Sequence, residues 1–379
     1  MPLLTNPRAE PSLRDAVPSR APLPFHRALP GYAPTPLREL PALAARCGVA
    51  RVWLKDESAR LGLPAFKVLG ASWAAAQTLA ARLGEPALAD DFAALRARLG
   101  GEPALVAATD GNHGRAVARI AALLQLPARI FLPAGAAPAR LAAIAGEGAV
   151  VEQVDGTYDD AVERAAAVAD EIGGLLLLDT SLPGRERMAE LVAEGYTTLF
   201  WEIEEQLRAA GEWPPDLMLV QIGVGALAQA AVVAFKRPDV HGAVRVVGVE
   251  PVEAACVAAA IAAGEVVTLP GRQNSLMAGL NCGTASTVAW PWLRRGLDGI
   301  VTVPDERAVE AMRALAAEGV VAGETGAAGV AGLLELASDA DMRDAVGLAA
   351  TARVLLLSTE GATDPESWQR IVGSAPHQG

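Results

Sequence analysis

The sequence predicts an α/β protein with two open, twisted parallel sheets, each covered by helices on both faces. Three observations predict it. Short apolar runs alternate with helical patterns between residues 104 and 178, the rhythm of βαβ units and a parallel sheet. The alternation breaks near residue 180 and resumes from 217 to 358, so one small domain reads as inserted into a larger one. At 379 residues, 52% of them apolar, the chain can bury a sizeable core and divide it between domains.

Composition excludes several classes of partner. A net charge of −12 argues against nucleic acid or a membrane surface held by basic charge. No apolar run approaches the roughly 18 residues that span a bilayer, and the N-terminus lacks the basic-then-apolar pattern of a secretion signal. Cys47, Cys256 and Cys282 are too few for a disulfide scaffold and fit a reducing cytoplasm. The histidines, His26, His113, His241 and His377, show no metal-ligand spacing, so no metal site is expected.

Residues 1–36 are rich in Pro and Arg without a period, and read as an arm on the surface or on a partner subunit. Thr35-Pro36-Leu37 leads into a helix over 40–47 that Gly48 ends. A strand over 49–54 follows, then the polar turn Lys55-Asp56-Glu57-Ser58. A loop with Gly62 and Pro64 precedes a helix over 67–83. Strands are expected over 104–108, 128–132, 149–154 and 175–178, with helices over 115–124, 137–145 and 158–172 between them. A long helix over 188–210 comes next. The second series places strands over 217–221, 244–250, 300–303 and 354–358, and helices over 226–235, 253–263, 305–318 and 324–338. The expected domains are the arm 1–36, a large domain of 37–84 and 185–379, and a small inserted domain of 85–184.

Chemistry is concentrated in four places. Lys67 stands among Leu63, Ala65, Phe66, Val68 and Leu69. An ammonium so placed is poorly solvated, which favours the neutral amine that a carbonyl needs as nucleophile. Gly223-Val224-Gly225-Ala226 joins a strand to a helix and can offer backbone N–H groups to a phosphate; the other reading is a tight connection. Ala228 replaces the third glycine of a dinucleotide fingerprint, so a nicotinamide site is not supported. Thr109-Asp110-Gly111-Asn112-His113-Gly114-Arg115 packs an acid, an amide, an imidazole and a guanidinium into one glycine loop after a strand. Asp179 and the Ser358-Thr359 pair each end a strand, the latter before Glu360-Gly361. A nucleophilic lysine, a phosphate cradle, an amide and a terminal hydroxyl are the parts that hold pyridoxal 5′-phosphate (PLP).

These segments, with Met277-Ala278-Gly279-Leu280-Asn281-Cys282-Gly283 and the ending S-T-E-G-A-T-D, resemble the diaminopropionate ammonia-lyases. That family belongs to the tryptophan-synthase β-like, fold-type II PLP enzymes, and the resemblance spans residues 35 to 372 in order. It implies that Lys67 binds the PLP aldehyde covalently, with Phe66 beside it. Asn112 would hydrogen-bond the ring's phenolic oxygen, and Gly223, Val224, Gly225, Ala226 and Leu227 would supply amides to the phosphate. Ser358 or Thr359 would face the pyridine nitrogen. Asp110 and Asp179 would act on the Cα proton from opposite faces, so that both enantiomers of 2,3-diaminopropionate are eliminated to pyruvate and ammonia. Fold relatives are usually dimers, so a homodimer is expected.

The alternatives are a serine/threonine dehydratase or amino-acid racemase of the same fold, or a non-catalytic amino-acid-binding paralogue. The dehydratases carry a serine two residues before the lysine, where this chain has Ala65, and a small residue in place of Asp110. Retention of Lys67, Asp110 and Asp179 together favours an enzyme over a binder. One departure from the family follows Asp179: Thr180-Ser181-Leu182-Pro183-Gly184-Arg185 lacks both of the aromatics expected there. It opens the question of a related diamino acid whose extra acidic group pairs with Arg185.

Overall fold

The computed structural model describes residues 2–109, 111–240 and 242–376. Its strands are β1 (Leu3–Thr5), β2 (Leu37–Glu39), β3 (Arg51–Asp56), β4 (Leu105–Ala108), β5 (Ala128–Pro133), β6 (Val150–Val154), β7 (Leu175–Leu176), β8 (Leu217–Gln221), β9 (Arg245–Pro251), β10 (Gly299–Val303) and β11 (Arg353–Ser358). They belong to two compact units. One comprises Met1–Ser19, Pro34–Ala59 and Leu199–Gly379; the other comprises Arg20–Ala33 and Arg60–Thr198.

The first unit holds a seven-stranded sheet in the order β1-β10-β9-β8-β11-β3-β2. The five inner strands are parallel and the two edges antiparallel. Strands β8, β9 and β11 are near-continuous apolar runs, as strands covered on both faces must be. Leu217, Leu219, Val354 and Leu356 meet Val330, Leu333 and Leu334 of the helix Ala328–Ala337 in one core. The helix Ala226–Phe235 packs on β8 and β9.

The second unit holds a four-stranded, all-parallel sheet in the order β6-β5-β4-β7. The helix Tyr158–Ile172 buries Ala161, Ala165 and Val168 against Val106 and Phe131. Its N-terminus carries a capping box, in which Thr157 and Asp160 each satisfy the other's backbone N–H. The helix Val68–Arg82, which Lys67 starts, packs against the helices Glu186–Gly195 and Asn112–Leu124.

The N-terminal arm is more structured than its sequence suggests. Leu3–Thr5 adds an antiparallel edge to β10, and Pro22–Ala28 forms a helix. His26 of that helix is fully buried. Its Nε2 lies 2.9 Å from the Leu69 carbonyl and its Nδ1 2.7 Å from Thr198 Oγ1. A carbonyl only accepts, so Nε2 carries the proton and Nδ1 accepts from the threonine. No local pattern announces these contacts, because both partners lie far along the chain. The helix expected over 188–210 is two, Glu186–Gly195 and Thr197–Ala209, divided at Tyr196. Phe92–Leu99, Trp290–Gly296 and Ala340–Val346 are further helices that the periodicity did not reveal. Among the described residues no helix is long and apolar enough to cross a membrane.

Candidate active site

In the second unit, Lys67 sits at the N-cap position of the helix Val68–Arg82. Its Nζ is 2.6 Å from Asp179 Oδ2 and 5.3 Å from the centre of the Phe66 ring. The two charged side chains keep 23% and 14% of their surface, so the pair is sheltered yet reachable. Burial pushes the Asp179 carboxyl up, but Lys67, by its charge and its hydrogen bond, holds it well below the usual carboxylate range. Asp179 follows β7, whose pairing is continued by the Leu177 N–H to the Val106 carbonyl at 2.8 Å. The sheet therefore delivers this carboxylate to the lysine.

Only three lysines occur in the chain, Lys55, Lys67 and Lys236. Lys55 is fully buried and donates to the Thr35 carbonyl, Glu202 and Gln206. Lys236 is almost as buried and donates to Asp298 and the Val244 carbonyl. Lys67 is the lysine whose amine an aldehyde can reach.

Two further side chains are buried near this pair, His113 and Tyr196; among the described residues His113 Nδ1 lacks a hydrogen-bond partner. His113 donates from Nε2 to the Leu177 carbonyl at 3.0 Å, and burial lowers its proton affinity, so the ring is neutral with a bare Nδ1 lone pair. The Tyr196 ring lies tilted at 52° to Phe66, with ring centroids 4.7 Å apart. Burial raises its phenol far above the ordinary value and keeps it protonated. A Cβ on Gly70 would stand 2.6 Å from the Tyr196 ring, so this glycine is what admits the tyrosine to the lysine helix. Tyr196 was not among the residues the sequence singled out; Gly195 before it was the available signal.

Thr109 organises the asparagine loop. Its Oγ1 accepts the N–H groups of Gly111 and Gly114 at 2.9 and 3.0 Å. Asn112 opens the helix Asn112–Leu124 at the C-terminal end of β4. Asp110 lies outside the described residues.

In the first unit, Gly223 and Gly225 link β8 to the helix Ala226–Phe235. The bond from Gln229 N–H to the Gly225 carbonyl (2.8 Å) belongs to the first turn, which leaves the amides of Ala226, Leu227 and Ala228 without an α-helical acceptor. Gly225 has φ +109°, and a Cβ there would stand 2.7 Å from Leu293 Cδ1. Gly225→Ala is therefore expected to cost about 1–2 kcal/mol in backbone strain alone. Equilibrium dialysis should show PLP affinity falling about tenfold or more. At the end of β11, Thr359 Oγ1 lies 3.1 Å from Gln221 Nε2, while Ser358 Oγ lies 3.4 Å from the Glu360 carbonyl.

Two motifs acquire roles the sequence did not reveal. Lys55-Asp56-Glu57-Ser58 is a brace. Lys55 and Glu202 form a wholly buried ion pair at 2.7 Å, Glu57 accepts from Thr35 Oγ1 at 2.5 Å, and Asp56 accepts from Ser58 and Arg38. Arg185 pairs with both oxygens of Asp170, at 2.7 and 2.8 Å, so its charge is matched on the protein's own surface. Leu182 packs against the small unit's core.

Each unit by itself offers parts that suit PLP: the second a reachable amine, the first open helix amides at a glycine turn. The class is that of the fold-type II PLP enzymes. The family model described as pyridoxal-phosphate dependent enzyme matches residues 28–360. The diaminopropionate ammonia-lyase of Salmonella typhimurium is 37% identical over 92% of this chain and 90% of its own length. The crystal structure of the holo enzyme of that name from Escherichia coli superposes with a TM-score of 0.91 at 31% identity, covering 98% of this chain and 96% of that one. The E. coli enzyme in complex with an aminoacrylate-PLP azomethine reaction intermediate gives 0.88 at 30% identity, with 98% and 96% covered. The chain belongs to the pyridoxal-phosphate dependent enzymes and, within them, to the diaminopropionate ammonia-lyase family. Its cofactor is PLP and its substrate an amino acid.

Proposed function

We propose that this enzyme removes ammonia from 2,3-diaminopropionate by α,β-elimination, giving pyruvate and two ammonia with the uptake of one water. The observation that carries the proposal is the Lys67–Asp179 pair at 2.6 Å, in a chain whose two other lysines are buried and engaged. When bound, PLP supplies an aldehyde for covalent attachment and a ring that withdraws electrons from the substrate's Cα. Lys67 would hold the cofactor through Nζ, beside Phe66. Asn112 would bind the phenolic oxygen, the amides of Gly223, Val224, Gly225, Ala226 and Leu227 the phosphate, and Ser358 or Thr359 the ring nitrogen.

Asp179 would accept the Cα proton of one enantiomer and Asp110 that of the other. Its depressed proton affinity keeps Asp179 ionised, as a base must be. An acid near Cβ would protonate the departing amine, since nitrogen leaves as ammonia and not as an amide anion. The Tyr196 phenol, held protonated by burial, adds a polar lining beside Lys67. A binder without catalysis would have no use for an ion pair placed at the nucleophile. We further read the protein as a cytoplasmic homodimer, on the strength of its free cysteines and of the fold.

The test is product stoichiometry. Incubation of the PLP-loaded protein with 2,3-diaminopropionate should release one pyruvate and two ammonia per substrate. Turnover of serine or threonine in preference to the diamino acid would replace this reading with the dehydratase one.

A further inference from the structure

We propose that Gln221 is a positioning residue that fixes the Thr359 hydroxyl as a hydrogen-bond donor toward the cofactor's ring nitrogen. The inference rests on the cofactor assignment above and selects Thr359 over Ser358. Gln221 ends β8, two residues before Gly223, and is 2% exposed. Its Nε2 lies 3.2 Å from the Leu357 carbonyl, 3.3 Å from the Thr325 carbonyl and 3.1 Å from Thr359 Oγ1. Carbonyls only accept, so two of the three partners determine which end of the amide is nitrogen. Toward Gln221, Thr359 Oγ1 can then only accept, sharing the amide's two N–H groups with the two carbonyls. Among the described residues the amide oxygen is left buried without a hydrogen-bond partner. Packing alone does not account for this, since an apolar side chain of the same length would fill the space without stranding an oxygen.

The consequence concerns the hydroxyl proton. With Gln221 donating to Thr359 Oγ1, that oxygen's own proton must point elsewhere. Among the described residues its acceptor is the Thr325 carbonyl at 3.4 Å, a long hydrogen bond that a nearer acceptor can displace. The proton is thus available to a ring nitrogen, and a nitrogen that accepts a proton in a hydrogen bond cannot also carry one. The charged groups on the flanking segments are Glu360, whose carboxylate accepts the Thr325 N–H, and Glu324, which accepts from Ser367. A carboxylate beside the ring would favour its protonated form, which a hydroxyl donor opposes. Ser358 has no side-chain donor to orient it; its Oγ is directed at the Glu360 carbonyl.

The experiment loads wild type, Gln221→Met, Gln221→Glu, Thr359→Val and the Gln221→Met/Thr359→Val double variant with PLP labelled with ¹⁵N in the ring. The ring-nitrogen chemical shift is recorded from pH 6 to 9, and the PLP dissociation constant is measured alongside. Wild type should show an unprotonated nitrogen throughout. Both single Gln221 variants should show a titration toward the protonated shift and bind PLP about tenfold more weakly, the scale of one lost buried hydrogen bond. In the Thr359→Val background, Gln221→Met should add less than about a twofold loss, because the two residues act through one hydroxyl. Should Gln221→Met fail to fold, Gln221→Glu decides, since its protonated acid keeps one donor for the carbonyls. A protonated nitrogen in wild type, an unchanged shift in the Gln221 variants, or a full additional loss in the Thr359→Val background overturns the inference. A wild type that binds no PLP overturns the cofactor assignment and this inference with it.

Discussion

Lys67→Ala is expected to lower kcat for elimination from 2,3-diaminopropionate by at least about 10⁴-fold, the scale seen when a covalent nucleophile is deleted from an enzyme. The other two lysines cannot take over. Lys55 is locked into three hydrogen bonds and Lys236 into two, both at or below 1% exposure. Releasing Lys55 would strand the Glu202 carboxylate in the interior, at a cost of about 3–5 kcal/mol for a broken buried pair. The variant should also lose the absorbance of bound PLP that borohydride bleaches. The fold should survive, because Lys67 is partly exposed and alanine suits a helix start. Removing the ammonium leaves Asp179 without its main counter-charge, so burial should raise the carboxyl toward or above the ordinary range. Residual activity within tenfold of wild type would remove Lys67 from the mechanism.

Asp179→Asn carries the second large effect, and it is selective. Turnover of the L enantiomer should fall by about 10²–10⁴-fold, the usual worth of a general base, while D turnover stays within a few-fold. Asn preserves the shape and a hydrogen bond to Nζ but cannot accept the Cα proton. Equal loss of both enantiomers would sink the assignment of one carboxylate to each face. The same variant has a signature in stability. Asp179 is held below its ordinary value when folded, so it adds stability above about pH 4 that is lost as pH falls through the folded value. Acid unfolding of the cofactor-free protein should therefore begin at lower pH in Asp179→Asn than the lost pairing alone would suggest, with a shallower slope. Urea midpoints at pH 3 and pH 7 measure it.

The sequence carried the two sheets because parallel strands buried on both faces leave apolar runs that need no partner to be seen; β8 and β11 were legible for that reason. It carried Lys67 and the glycine turn because both are short and contiguous. What it did not carry depends on distant partners. Leu3–Thr5 is a strand only because β10 offers an edge. Lys55 is a brace only because Glu202 and Gln206 come up beneath it. Tyr196 lines the lysine helix only because Gly70 makes room. Gln221 gave no signal in one dimension, since its three acceptors come from segments a hundred residues and more away. The drift after Asp179 looks different in three dimensions: Leu182 joins a core and Arg185 finds Asp170. The changed residues there have local explanations that call for no new substrate group.

The central claim is that Lys67 is the residue that carries the cofactor. The most direct measurement is borohydride reduction of the PLP-loaded protein, followed by proteolysis and mass spectrometry of the labelled peptide. One phosphopyridoxyl group per chain is expected, on the peptide containing Ala65-Phe66-Lys67-Val68, and none on Lys55 or Lys236. Label on either of those two lysines, or a yellow protein with no label at Lys67, would contradict it.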